Sequence, residues 1–393
     1  MLRRRRLAIW LGAAVAAGAL CWWVAAPYAR SAAFILDLSG RSTWVRRLLP
    51  APASGVVTRD VRVPTRAGPI DARIAEPAGG AARTVIVFPG VHAGGVDEPR
   101  LATFARRLAS TGVRALSVPI PDLRAFRITP RATDVIEDAI TWAAADRTFA
   151  PDGRIGVAGI SFAGGLALVA AGRPSLAGRV RFLVSIGGYA DLPRVMRYLC
   201  TGELADGTAR PPLDYGVAVI LLGAVARVVP AGEADALAHA VTTYLTAASD
   251  TETDPARADR EFADARRQAA SLDEPARTYM GWVNDRNTAA LGRLLLPDVN
   301  DLGDAPALSP DRSPATGAPV FLLHGATDSL IPPTETPALA AYLEARGDRR
   351  VRWLVTPLLT HATVEDGAPP GDVWRLISFW TAVLDAAGPA AIR

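Results

Sequence analysis

The fold of this chain is restricted most by residues 154–169, whose sequence is RIGVAGISFAGGLALV. Ile155 and Val157 predict a short buried strand, and the apolar run after Ser161 predicts a helix. The serine on the turn between them is flanked by residues with little or no side chain, as a sharp turn requires where neighbouring chain passes close. The first N–H groups of the helix would point toward the serine hydroxyl. The stretch therefore predicts a strand–serine–helix unit, although a glycine-rich turn that only packs has the same pattern.

Short apolar runs alternate with amphipathic segments on both sides of this unit, which is the pattern of repeated βαβ units. Residues 84–88, TVIVF, have the continuous β-branched character of a strand buried between two helical layers. Right-handed crossovers between such strands give a mainly parallel sheet. The predicted fold class is therefore α/β, a mostly parallel sheet flanked by helices. Strands are predicted at residues 56–63, 70–74, 84–88, 113–118, 155–157, 180–186, 320–323 and 351–355.

The alternation stops after Asp191 and resumes at residues 320–323. A structureless loop of this length is uncommon in a compact domain, and the interval contains helix-like segments. We therefore predict a helical cap inserted at residues 192–317, between two parts of the α/β core at residues 55–191 and 318–393. Helices are predicted within the cap at residues 215–229, 233–247 and 256–270.

The N-terminus combines a basic run with a long uncharged segment. Residues 3–6 are all arginine, and residues 7–29 carry no charge and are long enough to cross a bilayer as a helix. Basic residues ahead of such a span favour a cytoplasmic N-terminus, with the remainder exported. We predict an uncleaved anchor in residues 1–30, then a juxtamembrane segment of short helices and a linker in residues 31–54. The alternative is a cleaved signal peptide and a secreted protein, which Pro27 disfavours because it follows the best small-residue cleavage site.

All 43 basic side chains are arginine, and beyond the N-terminal run they are scattered, so the net charge of +4 predicts no nucleic-acid surface. Cys21 lies in the span and Cys200 is alone beyond it, so the exported part has no intramolecular disulfide. Cys200 is predicted to be a buried, unreactive thiol. The four histidines form no three-ligand metal set of recognisable spacing. We therefore expect no metal, cofactor or nucleic-acid partner.

Serine is a weak nucleophile at neutral pH and needs a base, whose tautomer is fixed by a carboxylate. The chain has both after Ser161: Asp328 in HGATDSLIPP and His361 in TPLLTHATVED each follow a predicted strand by a few residues. Because the carboxyl ends of parallel strands lie at one edge of a sheet, where ligands bind, the three side chains are expected to meet there. They are predicted to be nucleophile, orienting carboxylate and general acid/base.

These motifs give the sequence a resemblance to the α/β-hydrolase superfamily, and within it to dienelactone-hydrolase-like and esterase members. The resemblance covers residues 56–191 and 320–393. It implies the same triad on a nucleophile elbow, and an oxyanion hole formed by the backbone N–H groups of Phe162 and Val91. The chain departs from the family pattern at Ala163, the second small position of the elbow, and in FPGVHAGG, where lipases often have His-Gly-Gly-Gly.

Four further residues have competing interpretations. His92, in the predicted oxyanion loop, is either a substrate contact or the holder of a structural hydrogen bond. His324 follows a strand and is predicted to stabilise a turn, since it is too close in sequence to Asp328 to act as its base. His239 is predicted to be a surface or packing residue of the cap. Asp191 is the alternative acid, because some hydrolases place the acid one strand earlier.

The function predicted from these residues is that of a membrane-anchored serine hydrolase, in the first place a carboxylesterase acting on a small-molecule ester without a cofactor. The apolar composition of the cap favours a hydrophobic acyl group. The same triad fits an amide or peptide hydrolase or an acyltransferase. A hydrolase-like domain without activity would instead be a membrane-tethered binding module.

Overall fold

The computed structural model describes residues 2–40, 44–51, 55–81, 83–347, 350–359 and 369–388. These residues contain a sheet of eight strands: β1 (Val56–Val63), β2 (Ile70–Pro77), β3 (Thr84–Phe88), β4 (Arg114–Ser117), β5 (Ile155–Ile160), β6 (Val180–Ile186), β7 (Val320–Gly325) and β8 (Val351–Thr356). The strand order is β1-β2-β4-β3-β5-β6-β7-β8. β2 is antiparallel to both of its neighbours, and β3 to β8 are parallel to one another. The predicted α/β class with a mostly parallel sheet is confirmed.

Parallel strands end at the same side of a sheet, so the chain leaves β3 to β8 at one edge, which we call the carboxyl edge. β5 lies in the middle of the sheet between β3 and β6, and all five residues of β3 are buried. The residues that follow β3, β5, β7 and β8 are therefore gathered at the carboxyl edge.

The described residues also contain fifteen α-helices: α1 (Leu2–Leu38), α2 (Trp44–Leu48), α3 (Pro99–Ala109), α4 (Pro121–Arg124), α5 (Arg131–Ala145), α6 (Phe162–Ala171), α7 (Leu192–Thr201), α8 (Asp214–Val228), α9 (Ala231–Asp250), α10 (Pro255–Ala270), α11 (Ala276–Asn284), α12 (Thr288–Leu295), α13 (Val299–Gly303), α14 (Glu335–Ala345) and α15 (Pro370–Ala387). The helices form a layer on each face of the sheet. Side chains alternate between the layers, as the period of a strand requires. In β3, Ile86 joins the core with α5, α6 and α14, whereas Val85 and Val87 join the core with α3 and α15.

Helices α7 to α13 occupy the chain between β6 and β7, where every residue is described. Their apolar side chains belong to the same hydrophobic core as α5 and α6. The bounds of α8, α9 and α10 lie within three residues of the predicted helices at 215–229, 233–247 and 256–270. The inserted helices thus extend one of the two cores of the domain.

The N-terminal helix α1 runs without a break from Leu2 to Leu38. The sequence predicted a separate short helix from residue 31, and this is wrong, because α1 continues where it packs on α15. Phe34 is 2% exposed there, and the hydroxyls of Ser31 and Thr381 are 2.9 Å apart. Among the described residues, one stretch of α1, Ala16–Leu38, is long and apolar enough to cross a membrane, as a membrane anchor or a signal sequence would be. Residues 52–54 of the predicted linker lie outside the described residues.

Candidate active site

Ser161 stands between the end of β5 and the start of α6, with φ 56° and ψ −133°. A positive φ is strained for a residue with a side chain. The turn is held by two hydrogen bonds: the Ser161 N–H donates to the Ile186 carbonyl at 2.7 Å, and the Gly164 N–H donates to the Ser161 carbonyl at 2.8 Å. The serine is 6% exposed. The strand–serine–helix unit is therefore present, with backbone strain located at the serine itself.

Close backbone approaches explain the small residues around Ser161. A Cβ on Gly90 would lie 2.8 Å from the Cβ of Ser161, and a Cβ on Gly159 would clash with the Ala163 carbonyl oxygen. A Cβ on Gly164 would lie 3.2 Å from the Cα of Gly188 in the chain after β6. The tight contacts of the elbow thus fall on Gly159 and Gly164. Ala163 is fully buried, and its methyl group is part of the core.

The two backbone N–H groups predicted for the oxyanion hole belong to residues next to the serine. Phe162 is the first residue of α6, so its N–H is one of the donors that a helix leaves without an intrahelical partner. Val91 follows Gly90, whose backbone packs against Ser161. The Tyr215 hydroxyl on α8 donates to the Val91 carbonyl at 2.7 Å and holds this loop against the inserted helices. Sequence reasoning missed Tyr215, since nothing local links it to a loop 124 residues away.

His92 fastens the same loop to α9. Its Nδ1 accepts the Gly94 N–H at 3.0 Å, so its Nε2 carries a proton and donates to the Ser249 carbonyl at 3.3 Å. Burial lowers the pKa of His92. Because both ring nitrogens hold protein groups, the geometry favours the structural hydrogen bond over the substrate contact.

Asp328 lies in the loop that follows β7 and is 1% exposed. Its Oδ1 accepts the N–H groups of Leu330 at 2.8 Å and Ile331 at 3.0 Å. Backbone donors of this kind favour the charged form of a carboxylate and fix its orientation. Asp328 is therefore a rigidly held carboxylate at the carboxyl edge, on the second strand beyond the one that leads into Ser161.

His324, on β7, is fully buried beneath this loop. Its Nε2 lies 2.9 Å from the Ile331 carbonyl and 3.3 Å from Oδ2 of Asp328, and its Nδ1 lies 2.7 Å from the Thr336 hydroxyl. An N–H on Nε2 satisfies the carbonyl, and the Thr336 hydroxyl satisfies Nδ1. His324 thus joins β7, the Asp328 loop and α14, in agreement with the turn-stabilising role expected for it.

His361, the predicted general acid/base, lies outside the described residues. The preceding strand, β8, ends at Thr356 beside β7. The chain therefore leaves β8 at the carboxyl edge, next to the loop that carries Asp328. The assignment of His361 stays a prediction from sequence.

Asp191, the alternative acid, belongs to a network of ion pairs and backbone caps in which the carboxylates of Asp191 and Glu335 are buried and the arginines are partly exposed. Its Oδ1 accepts the Arg194 N–H at 2.7 Å as the N-cap of α7, and its Oδ2 pairs with Arg312 at 2.8 Å. Glu335 accepts the N–H groups of Ala190 at 2.9 Å and Asp191 at 3.1 Å. One carboxylate oxygen of Asp191 thus caps α7 and the other pairs with Arg312, so Asp328 is the better candidate acid.

The same network perturbs Asp311, whose side chain is 24% exposed and pairs with Arg194 only at 3.9 Å. Burial, and then the nearby charge of Asp191, raise the pKa of Asp311 from 3.8 to about 6. The folded chain therefore binds this proton more tightly than the unfolded chain. As a consequence, the free energy of unfolding falls as the pH rises from about 4 to about 6.

Asp311→Asn is expected to raise the free energy of unfolding at pH 8 by about 1–2 kcal/mol, after allowance for solvent screening, because the variant removes a charge that folding disfavours. At pH 4 the gain should be much smaller. Chemical denaturation at both pH values measures this. Asp304→Asn is the control, since Asp304 pairs with Arg312 at the surface and should change stability by less than about 1 kcal/mol. An equal effect of Asp311→Asn at both pH values would contradict the prediction.

The two remaining sequence candidates lie in the inserted helices and have structural surroundings. His239 on α9 is 3.4 Å from the side-chain amide of Gln268 on α10. Cys200 is buried at the end of α7, and this burial raises the pKa of its thiol to about 12. A thiol with so high a pKa is protonated at neutral pH and unreactive, as expected for Cys200.

No family model and no curated protein sequence matches the chain. Among solved structures it is similar to an esterase of Pyrobaculum calidifontis, with 18% identity and a TM-score of 0.46 over 92% of each chain. It is similar to EstE1, a thermophilic carboxylesterase cloned from a metagenomic library, with 18% identity and a TM-score of 0.47 over 90% of this chain and 96% of that one. A Klebsiella pneumoniae protein assigned as a dienelactone hydrolase has 14% identity and a TM-score of 0.42, over 84% of this chain and 98% of its own. Likeness at such identities concerns the fold alone.

The chain itself has the architecture of an α/β hydrolase. Its mostly parallel sheet has the order given above, a serine follows β5 on a strained turn, and a set of helices is inserted between β6 and β7. The fold predicted from the sequence is therefore confirmed.

Proposed function

We propose that the chain is a serine hydrolase that cleaves a carboxylic ester through an acyl-enzyme intermediate on Ser161. The observation that carries the proposal is the backbone of Ser161, which has φ 56° at the N-terminus of α6. Phe126 and Arg286 also have a positive φ, but Ser161 combines it with ψ −133° between a buried strand and a helix N-terminus, which is the conformation that a nucleophile elbow requires.

In the proposed reaction the Ser161 hydroxyl attacks the ester carbonyl while His361 takes its proton. The N–H groups of Phe162 and Val91 stabilise the oxyanion, and each such donor typically contributes about 2.7–4 kcal/mol to the transition state. His361 then gives the proton to the leaving alkoxide. In the second half of the reaction, His361 takes a proton from a water molecule that attacks the acyl-enzyme, and it returns the proton to the Ser161 oxygen as the acid is released. Asp328 keeps His361 in the required tautomer. Residues 192–317 act as a cap that controls access to the serine.

Labelling with a fluorophosphonate probe tests the nucleophile. Wild-type protein is expected to label, and Ser161→Ala is expected to lose the label completely while remaining folded. Ser185→Ala is a matched control: Ser185 is also buried beside α6, and its hydroxyl has no hydrogen-bond partner among the described residues. This control should label like wild type. Folded wild-type protein that does not label would favour the non-catalytic binding module.

We further propose that α1 is an uncleaved single-pass anchor and that the hydrolase domain lies outside the cytoplasm. The packing of α1 on α15 supports this. The apolar segment and the segment that is buried in the domain core belong to one continuous helix. After membrane isolation and a high-salt or alkaline wash, the protein is expected to stay in the pellet and to retain the N-terminal peptide containing Trp22. Soluble protein beginning near Pro27 would show a cleaved signal sequence instead.

A further inference from the structure

The last part of α1 packs beside α15, and the two helices run in the same direction. Tyr28 of α1 stacks on Trp374 near the start of α15, with ring centroids 5.1 Å apart and planes at 13°. Further along both helices, Phe34 meets Trp380 with centroids 4.9 Å apart. Residue numbers increase in the same direction along the two helices, so α1 is parallel to α15. The direction of α1 relative to the sheet therefore follows from that of α15.

Helix α15 runs from the carboxyl edge toward the opposite edge. It follows β8, and past its middle Phe379 packs edge-on against Phe321, the second residue of β7, at 6.1 Å. The N-terminal part of α1 therefore projects past the carboxyl edge.

The helix leaves the domain close to that edge. Side chains at positions 16–25 of α1 are all exposed, and burial begins at Ala26. Trp22 and Trp23 precede this point, and Val373 and Trp374 are exposed at the level of Tyr28. Aromatic residues concentrate where a membrane meets water, so these positions mark the bilayer surface. Phe34 and its neighbours, although apolar, are covered by the domain and do not face lipid.

Ser161 and Asp328 follow β5 and β7, so they lie at the same edge from which the free part of α1 projects. We propose that the carboxyl edge of the domain faces the bilayer and that the hydrolase acts on a long-chain acyl ester dissolved in the adjacent leaflet. This inference rests on the proposed hydrolase function and on the proposed anchor. The methylenes of a long acyl chain favour the bilayer over water, so such an ester is concentrated in the lipid, next to the site.

The orientation is tested without reference to activity, with the full chain in phosphatidylcholine vesicles that contain a spin-labelled lipid. In a Cys21→Ser background, an environment-sensitive fluorophore is attached to Val373→Cys at the carboxyl edge, to Ala177→Cys just before β6, or to Val45→Cys on α2. All three positions are exposed. Quenching by the lipid is expected to be at least about threefold stronger at 373 than at 177 or 45. The thirteen residues 26–38 span about 20 Å away from the carboxyl edge, and Arg46 of α2 pairs with Asp37 at the far end of this segment. Equal quenching, or stronger quenching at 45, would overturn the proposed orientation.

The substrate is tested by uncoupling the anchor from the domain. A flexible Gly/Ser insertion of about ten residues between Ala25 and Ala26 keeps both the span and the docked segment but frees the orientation. Hydrolysis of p-nitrophenyl palmitate in vesicles is expected to fall about tenfold, because the site loses its high effective concentration at the leaflet, while hydrolysis of soluble p-nitrophenyl acetate stays unchanged. The same insertion between Ser39 and Gly40, beyond the docked segment, should change neither rate.

Unchanged palmitate hydrolysis after the first insertion would overturn the proposed substrate route. A wild-type chain that hydrolyses neither ester would overturn the hydrolase function, and with it this substrate, whereas the quenching experiment would still decide the orientation. The two failures are therefore distinguishable.

Discussion

Ser161→Ala is expected to lower kcat/KM for ester hydrolysis by on the order of 10⁵–10⁶-fold, with unchanged folding. The loss is large because the attacking oxygen itself is removed, and what remains comes from the oxyanion donors and substrate binding. Steady-state hydrolysis of p-nitrophenyl acetate by the full chain in detergent measures it. Activity above about 1% of wild type would place the nucleophile elsewhere.

Ser161→Gly separates the strain at this position from its chemistry. Glycine adopts φ 56° without the steric penalty of a Cβ, so this variant should be as inactive as Ser161→Ala but more stable than it by about 1 kcal/mol. Thermal or chemical denaturation of the two inactive variants gives the difference directly. A Ser161→Gly protein that is less stable than Ser161→Ala would show that the turn is not strained at the serine.

The elbow could be predicted from the sequence because its signals are local. Gly159 and Gly164 are needed for backbone approaches within a few residues of Ser161, and the strands on either side are short β-branched runs. Because Ser161 and Asp328 each follow a predicted parallel strand, the spacing of the strands also predicted that both residues lie at the carboxyl edge. The elbow and the strands depend on residues that are close in sequence, so sequence patterns can predict them.

The contacts that sequence reasoning missed are long-range. Phe34 contacts Trp380, although nearly the whole length of the chain separates them in sequence. The continuation of α1 beyond residue 31 therefore had no local signal. The bond from Tyr215 to Val91 is of the same kind. Asp191 is different: an Asp two residues before Pro193, at the start of an apolar helical pattern, is a recognisable N-cap signal. This N-cap signal predicts the helix-capping role observed for Asp191, and it argues against Asp191 as the acid of the triad.

The two acids should respond in opposite ways to the same substitution, which tests the triad without reference to His361 itself. Asp328→Asn is expected to lower kcat by on the order of 10⁴-fold with little change in KM, because an amide cannot hold the base in the required tautomer. Its Oδ1 can still accept the N–H groups of Leu330 and Ile331, so the loop should keep its shape. Fluorophosphonate labelling should become much slower but reach the same final extent, as expected for a residue that acts through the base.

Asp191→Asn should show the reverse pattern. It keeps a weaker N-cap on α7 but loses the charge that pairs with Arg312 at 2.8 Å, so the free energy of unfolding should fall by about 1–3 kcal/mol. The value of kcat should stay within about threefold of wild type, since no step of the proposed reaction passes through Asp191. Parallel measurements of kcat, labelling rate and thermal stability on the two variants decide between the acids. A large loss of kcat in Asp191→Asn, with Asp328→Asn active, would move the orienting role one strand earlier and leave Asp328 as a loop-stabilising residue.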